Sequence, residues 1–263
     1  MDTLSSRDGT TIAYDKQGTG PALILVDGAL TVHSAGGKSE LASLLAPRFT
    51  VYGYDRRGRG DSGDTLPYAV DREIDDIEAL IDDAGGSAML YGHSSGGPLA
   101  MLAAIRLGGK VSKIAIYEAP YNNDPRAQES WSQYLRQLRE ALAENRRGDA
   151  VALFMQFIGT PAEQVDGMRR APFWPGMESI APTLAYDHAE ILGEPWSVPA
   201  ELASHVSVAA LVMSGDAGLP FMPDAARVLS QAIPRGQLRI LEGQTHAVDP
   251  GALAPVLAEF FTS

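Results

Sequence analysis

The sequence contains no cysteine. That absence excludes a disulfide scaffold, a thiolate nucleophile and a zinc site with cysteine ligands. Positive charge is also scarce, because 21 lysines and arginines stand against 33 acidic residues and leave a formal net charge of −12. A charge of this sign disfavours both nucleic acid and anionic membranes as partners.

Long apolar runs are missing as well. No stretch approaches the roughly 18 apolar residues that a membrane-spanning helix needs. The first eight residues, MDTLSSRD, lack the basic start and apolar core of a signal peptide. We therefore expect a cytoplasmic protein. With 263 residues, 45% of them hydrophobic, the chain can build one large domain with a full core.

Short apolar runs alternate with segments of helical periodicity. Residues 22–26, ALILV, form a continuous apolar run of the kind that strands buried on both faces show. Residues 71–84 repeat their aliphatic side chains with helical spacing. This alternation predicts an α/β fold, with a mostly parallel central sheet flanked by helices. Further strands are predicted at 11–14, 50–54, 88–91, 111–117, 208–214 and 237–241.

Residues 121–200 break this alternation. The segment has helical stretches, many prolines and all three tryptophans of the chain, but no strand pattern. So long a segment without strands, between two predicted sheet strands, indicates an inserted helical cap. We therefore predict a core domain formed by residues 1–120 and 201–263, with residues 121–200 as its cap.

A serine stands at the centre of the strongest motif. Residues 92–97, GHSSGG, follow a predicted strand and precede a predicted helix, the context of the G-x-S-x-G nucleophile elbow. The turn is so tight that glycines at positions 92 and 96 are needed to avoid collisions. It would leave Ser94 exposed above a helix N-terminus, where developing negative charge is favoured. We predict Ser94 as the nucleophile, with the adjacent His93 lining the pocket.

The elbow and a second motif together resemble the α/β-hydrolase superfamily, and the resemblance covers nearly the whole chain. Residues 54–62, YDRRGRGDS, are similar to the family's D-x-R-G-x-G-x-S loop, which braces the site. The resemblance implies the α/β-hydrolase fold. It also implies a catalytic histidine in the loop after the last strand, where this sequence has His246. An imidazole there would take the proton of Ser94 and return it to the leaving group.

The acid of the triad departs from the common pattern. Many relatives have an aspartate in the spacing G-x-x-D after the strand at 208–214, but that position here holds Gly218. Asp216 stands two residues earlier. Glu118, at the end of the strand after the nucleophile's helix, matches the acid position of zearalenone lactonases and certain haloalkane dehalogenases, and gives the order Ser…Glu…His. We prefer Glu118 and keep Asp216 as the alternative.

The oxyanion hole also differs from the common pattern. After the strand at 22–26 many relatives have His-Gly, whereas this chain has Asp27-Gly28. The hole needs backbone N–H groups rather than a particular side chain. We expect one from Gly28 or Ala29 and another from Ser95. The Asp-Gly pair, the Ser-Ser elbow and the strand-end glutamate together resemble the zearalenone lactonases. The predicted substrate pocket is lined by Leu30, His93, Phe154 and Trp174.

A serine at the elbow, where epoxide hydrolases and haloalkane dehalogenases have aspartate, suits acyl transfer. We expect a serine hydrolase that cleaves a small hydrophobic ester or lactone through an acyl-enzyme. The chain has no H-E-x-x-H, P-loop or G-x-G-x-x-G motif, so we expect no metal and no cofactor. We expect a monomer or a homodimer.

Other activities remain open at this point. The fold also hosts C–C bond hydrolases, thioester hydrolases and perhydrolases, which the fold by itself does not distinguish. A non-catalytic ligand-binding member is a further alternative. The glycine at position 218 and the missing His-Gly pair are the features that favour it.

Overall fold

A computed structural model describes residues 1–33 and 40–263 of the chain. Its strands form one eight-stranded sheet. They are β1 (Asp2–Ser5), β2 (Thr11–Gln17), β3 (Ala22–Val26), β4 (Thr50–Tyr54), β5 (Ala88–His93), β6 (Val111–Tyr117), β7 (Ala209–Gly215) and β8 (Gly236–Leu241). The spatial order is β1-β2-β4-β3-β5-β6-β7-β8. Only the pairs β1·β2 and β2·β4 are antiparallel, and the rest of the sheet is parallel.

Helices fill the connections between these strands. They are α1 (Glu40–Leu45), α2 (Val70–Asp83), α3 (Gly96–Leu107), α4 (Pro125–Ala143), α5 (Arg147–Phe157), α6 (Ala162–Met168), α7 (Trp174–Ile180), α8 (Thr183–Ala185), α9 (Ala200–Ala203), α10 (Phe221–Ala232) and α11 (Pro250–Thr262). A 3₁₀ turn covers Gly108–Lys110, and a π-helix covers Tyr186–Leu192.

The apolar strands place side chains into a core on each face of the sheet. In β3, Ile24 belongs to the core beneath α2, α3 and α10, while Leu23 and Leu25 belong to the core beneath α1 and α11. All five residues of β3 are buried, as expected for a strand covered by helices on both sides. The predicted α/β-hydrolase fold, with a mostly parallel sheet between helices, is confirmed.

The first strand carried no signal in the sequence. Residues of β1, DTLS, are mostly exposed and show no apolar alternation. The strand forms because its backbone pairs with β2 in the antiparallel register Asp2↔Tyr14 to Ser5↔Thr11. Pairing with a neighbour, rather than local propensity, therefore determines this edge of the sheet.

Residues 118–208, all of which the structure describes, contain helices and no strand. Within them, residues 121–200 are called the cap below. The π-helix of the cap lies over the loops that follow β4 and β5. There the hydroxyl of Tyr186 donates a hydrogen bond to Asp64 at 2.7 Å, and Asp187 accepts one from Ser95 at 2.9 Å. The cap thus covers the carboxyl edge of the sheet, where ligands bind in open α/β folds.

Across residues 1–33 and 40–263, no helix is both long and apolar enough to cross a membrane.

Candidate active site

Ser94 occupies a strained turn between β5 and α3. Its φ angle is +54°, in the left-handed region that side-chain-bearing residues rarely adopt. The backbone N–H of Ser94 donates to the carbonyl of Tyr117 at 2.9 Å, and its carbonyl accepts from Gly97 at 2.9 Å. A Cβ atom at Gly96 would collide with the carbonyl oxygen of Val26, and one at Gly92 with that of Gly96. Glycine at both positions is therefore required by the close approach of the backbone.

His246 and Glu118 form a hydrogen-bonded pair at the carboxyl edge of the sheet. The Nδ1–H of His246 donates to Oε2 of Glu118 at 2.8 Å. The other oxygen, Oε1, accepts from the hydroxyl of Ser214 at 3.1 Å and from the amide of Gly215 at 3.0 Å. Glu118 is buried, with a φ of +47°, whereas the imidazole of His246 is 42% exposed. A buried carboxylate thus orients a ring whose other nitrogen is available for chemistry.

Asp216 contacts the backbone of the loop that carries His246, rather than the imidazole itself. Its Oδ1 accepts a hydrogen bond from the backbone amide of Gly243 at 2.6 Å, in an exposed turn. Gly218 borders the histidine instead, since a Cβ atom there would lie 3.5 Å from the backbone nitrogen of His246. Of the two candidate acids, the structure therefore brings Glu118 to the imidazole, and Asp216 to the backbone of the loop that carries it.

The side chain of His93 forms a hydrogen bond with the backbone of the loop that carries His246. Its Nε2–H donates to the carbonyl of His246 at 2.9 Å, and the two rings lie 4.9 Å apart between centroids. Burial and the neighbouring His246 lower the pKa of His93 to about 4, so the ring is neutral near pH 7. The hydroxyl of Tyr117 donates to the carbonyl of Thr245 at 2.7 Å. Two side chains from β5 and β6 thus fix the backbone on which His246 stands.

The predicted oxyanion residues lie next to the nucleophile. A Cβ atom added at Gly28 would come within 2.8 Å of Cβ and 3.4 Å of Oγ of Ser94, so the Gly28 backbone passes directly beside the serine. Ser95 is buried and is the N-cap residue of helix α3. Ala29 is half-buried. The structure therefore brings together the backbone segments from which both N–H donors were expected.

A buried ionic cluster supports these segments, and it was not predicted. Asp187 of the π-helix is fully buried and accepts from Arg56 at 2.6 Å and from Arg59 at 2.5 Å. Arg56 also makes a bidentate pair with Glu73, at 2.8 and 2.7 Å. Burial by itself would raise the pKa of Asp187, but the two guanidinium groups hold it below its usual value. The only signal in the sequence was the run of arginines at 56–59, whose burial demands carboxylate partners.

Leu30 follows the oxyanion segment and has a φ of +54°. It lines a cleft of about 910 Å³ between the loop at 30–32 and the cap. Phe173, Met177 and Thr183 contribute the cap side of this cleft. The lining residues of this cleft do not include Ser94, His246 or Glu118, so contact of Leu30 with a substrate stays a prediction.

The other predicted pocket residues lie within the cap. Phe154 is half-buried, with its ring 5.0 Å from that of His188. Trp174 is buried, and its indole N–H donates to Glu178 at 2.9 Å, while Arg169 lies over its ring at 5.6 Å. These contacts are all with other cap residues, so contact of Phe154 and Trp174 with a substrate stays a prediction. The described part of the chain shows no group of three or more side chains suited to hold a metal ion.

Comparison with known proteins places this geometry in a family. The sequence model of the alpha/beta hydrolase family matches residues 29–256. An alpha/beta hydrolase from Sphaerobacter thermophilus DSM 20745 has a crystal structure with a TM-score of 0.85 and 46% sequence identity, covering 99% of this chain and 100% of that one. Among curated proteins, no sequence matches the chain.

More distant structures share the fold. The enol-lactonase from Burkholderia xenovorans LB400 has a TM-score of 0.67 and 22% identity, and covers the full length of both chains. An esterase from Rhodococcus sp. ECU1013 has a TM-score of 0.69 and 20% identity, covering 100% of this chain and 98% of that one. The match of the family model over most of the sequence, together with the 46% identical relative, shows that this chain belongs to the alpha/beta hydrolase family.

Proposed function

We propose that the chain is a serine hydrolase that cleaves a carboxylic ester or lactone through an acyl-enzyme. Ser94 is the nucleophile, His246 the general base and Glu118 the acid. The observation that carries the proposal is the 2.8 Å hydrogen bond between Glu118 and His246. A buried carboxylate is costly unless its oxygens are paired, and here the pairing directs one oxygen to the imidazole of the proposed base.

The reaction follows from these positions. Oγ of Ser94 attacks the carbonyl carbon while His246 takes its proton, which gives a tetrahedral oxyanion. Collapse of this intermediate breaks the bond to the alcohol oxygen, which receives the proton from His246. Water then loses a proton to His246 and attacks the acyl-enzyme, and Ser94 leaves with that proton restored. Glu118 stabilises the imidazolium in both steps.

Two backbone segments supply the stabilisation of the oxyanion. The N–H groups of Gly28 or Ala29, and that of Ser95, serve as donors. Gly28 is supported by its approach to Ser94, since its added Cβ atom would lie 3.4 Å from the nucleophilic oxygen. Ser95 is supported by its place at the start of α3, where backbone N–H groups have no partner within the helix.

The substrate class is a small hydrophobic ester or lactone. The cap side of the cleft at Leu30 includes apolar Phe173 and Met177 together with Arg147, Ser179 and Thr183. Phe154 and Trp174 add apolar surface to the cap. The Asp-Gly pair at 27–28, the Ser-Ser elbow and the strand-end Glu118 resemble zearalenone lactonases, and on that resemblance lactones are included among the candidate substrates. The solved structures that share this fold include an enol-lactonase and an esterase, enzymes of the same class.

Hydrolysis of p-nitrophenyl acetate and butyrate by four proteins tests the proposal. They are the wild type, Ser94→Ala, Glu118→Gln and Asp216→Asn. We expect loss of turnover in Ser94→Ala, a fall in kcat of about 10³- to 10⁴-fold in Glu118→Gln, and near-normal kcat in Asp216→Asn. A fluorophosphonate probe should label the wild type at Ser94 in parallel.

Two results would contradict the proposal in different ways. If Asp216→Asn loses activity and Glu118→Gln keeps it, the assignment of the acid is wrong, though the chain is still an esterase. If the folded wild type hydrolyses no ester or lactone and its Ser94 resists the probe, the chain is not a serine hydrolase.

A further inference from the structure

A carboxylate of the cap reaches the residue next to the nucleophile. Asp187 accepts a hydrogen bond at Oδ1 from the hydroxyl of Ser95 at 2.9 Å, and another at the same oxygen from Arg56. Its Oδ2 accepts from Arg59. Asp187, Ser95 and both arginines are each no more than 1% exposed. The cap therefore has a direct, buried contact with the segment expected to supply one oxyanion donor.

The same two arginines also form hydrogen bonds with the backbone of the second oxyanion segment, residues 27–28. Arg56 donates to the carbonyl of Asp27 at 3.1 Å, and Arg59 donates to the carbonyl of Gly28 at 2.5 Å. In a trans peptide the C=O of one residue and the N–H of the next lie in one plane and point in opposite directions. The hydrogen bond from Arg56 to the Asp27 carbonyl thus fixes the direction of the Gly28 N–H. The hydrogen bond from Arg59 to the Gly28 carbonyl likewise fixes the direction of the Ala29 N–H.

We propose that Asp187 is a positioning residue that holds both halves of the oxyanion hole. It orients Ser95 directly, and it orients the N–H groups of Gly28 and Ala29 through Arg56 and Arg59. The inference rests on the proposed function, because the hole matters only if an oxyanion forms there. It extends that function, since the oxyanion hole becomes complete only when the cap is seated on the core.

The charges of the cluster explain why Asp187 is needed. Arg56 has a second carboxylate partner in Glu73. Arg59 has no other ion pair among the described residues, and its Nε has no hydrogen-bond partner there. Loss of the Asp187 charge would leave Arg59 buried and unpaired, a state that proteins relieve by moving the side chain toward water. That movement would release the Gly28 carbonyl.

A neighbouring ion pair provides a matched control. Arg57 pairs with Asp76 at 2.8 and 2.7 Å, and both residues are no more than 1% exposed. The remaining bonds of Arg57 go to Asp8 and to the carbonyl of Arg72, away from the oxyanion segments. Asp76→Asn therefore disrupts an equally buried pair in the same loop, without touching the backbone at 27–29 or 94–95.

The test compares Asp187→Asn, Ser95→Ala and Asp76→Asn in ester hydrolysis, affinity for a boronic acid that mimics the tetrahedral anion, and melting temperature. We expect kcat to fall about 10²-fold in Asp187→Asn and about 10-fold in Ser95→Ala, with KM within about threefold of wild type. Affinity for the boronic acid should fall by the same factors. Asp76→Asn should lower the melting temperature but leave kcat within about threefold.

Opposite results would overturn the inference. If folded Asp187→Asn and Ser95→Ala keep the wild-type kcat and boronic acid affinity, Asp187 does not position the hole. If Asp76→Asn loses as much kcat as Asp187→Asn, the effect is only structural. Should Asp187→Asn fail to fold, Ser95→Ala decides alone, because its neutral truncation leaves the ion pairs intact. A wild type without ester turnover and without probe-labelled Ser94 overturns the proposed function, and the inference with it.

Discussion

Gly218 borders the carboxylate of Glu118, because a Cβ atom added at Gly218 would lie 3.7 Å from Oε1 of Glu118. Position 218 is where many relatives carry the acid of the triad, and this chain has the carboxylate at the end of β6 instead. The two positions approach the same imidazole from neighbouring strands, since β6 pairs with β7 up to Tyr117↔Met213. The backbone at Gly218 lies outside the left-handed region, so a side chain there meets no backbone strain.

This geometry predicts that a carboxylate at position 218 can replace that of Glu118 as the partner of His246. Glu118→Ala should lower kcat about 10³-fold, because the imidazolium loses its partner. Adding Gly218→Asp to that variant should raise kcat about tenfold or more, since a carboxylate again lies beside the loop of His246. Hydrolysis of p-nitrophenyl acetate measures both changes.

The matched control for this rescue is Glu118→Ala with Gly167→Asp. Gly167 is exposed in α6, and an added Cβ atom there meets nothing within 4 Å. The control therefore adds the same charge far from the pair. Equal activity of the two double variants would show that position 218 cannot serve the imidazole.

A second prediction concerns the close approach at Gly28. Gly28→Ala places a methyl group 2.8 Å from Cβ of Ser94, which is closer than real contacts allow. Either the serine or the oxyanion segment must shift, and we expect kcat to fall about 10²-fold. Gly109→Ala is the control, because its added Cβ atom meets nothing within 4 Å. Steady-state kinetics that show the same kcat for both variants would contradict a tight fit between Gly28 and Ser94.

Local sequence patterns predicted the parts of this site that depend on neighbouring residues. The apolar run of β3, the elbow glycines and the strand-end Glu118 each follow from short-range sterics or from the alternation of strands and helices. The choice of Glu118 over Asp216 rested on resemblance and on the glycine at position 218. Its contact with His246, 128 residues away in the chain, became visible only in the structure.

The parts that depend on distant pairing could not be predicted. Asp187 contacts Arg56, which lies 131 residues away, and nothing in the local sequence of the cap distinguishes it from other acidic residues. The motif at 54–62 indicated a bracing loop but not its partner. Long-range pairing of buried charges depends on how the cap is seated, which no periodicity in the sequence records.

The last prediction concerns His188, which is buried beside Asp187 and shares a 2.7 Å hydrogen bond between its Nδ1 and the hydroxyl of Tyr134. Burial lowers its pKa to about 4 from the usual 6.5. Between those values the unfolded chain binds a proton that the folded chain does not, so the free energy of unfolding falls as pH decreases. From pH 7 to pH 4 the wild type should lose about 3 kcal/mol more than His188→Gln, which stays neutral throughout. Urea unfolding across this range measures the difference, and equal losses in the two proteins would mean that His188 titrates alike in the folded and unfolded chain.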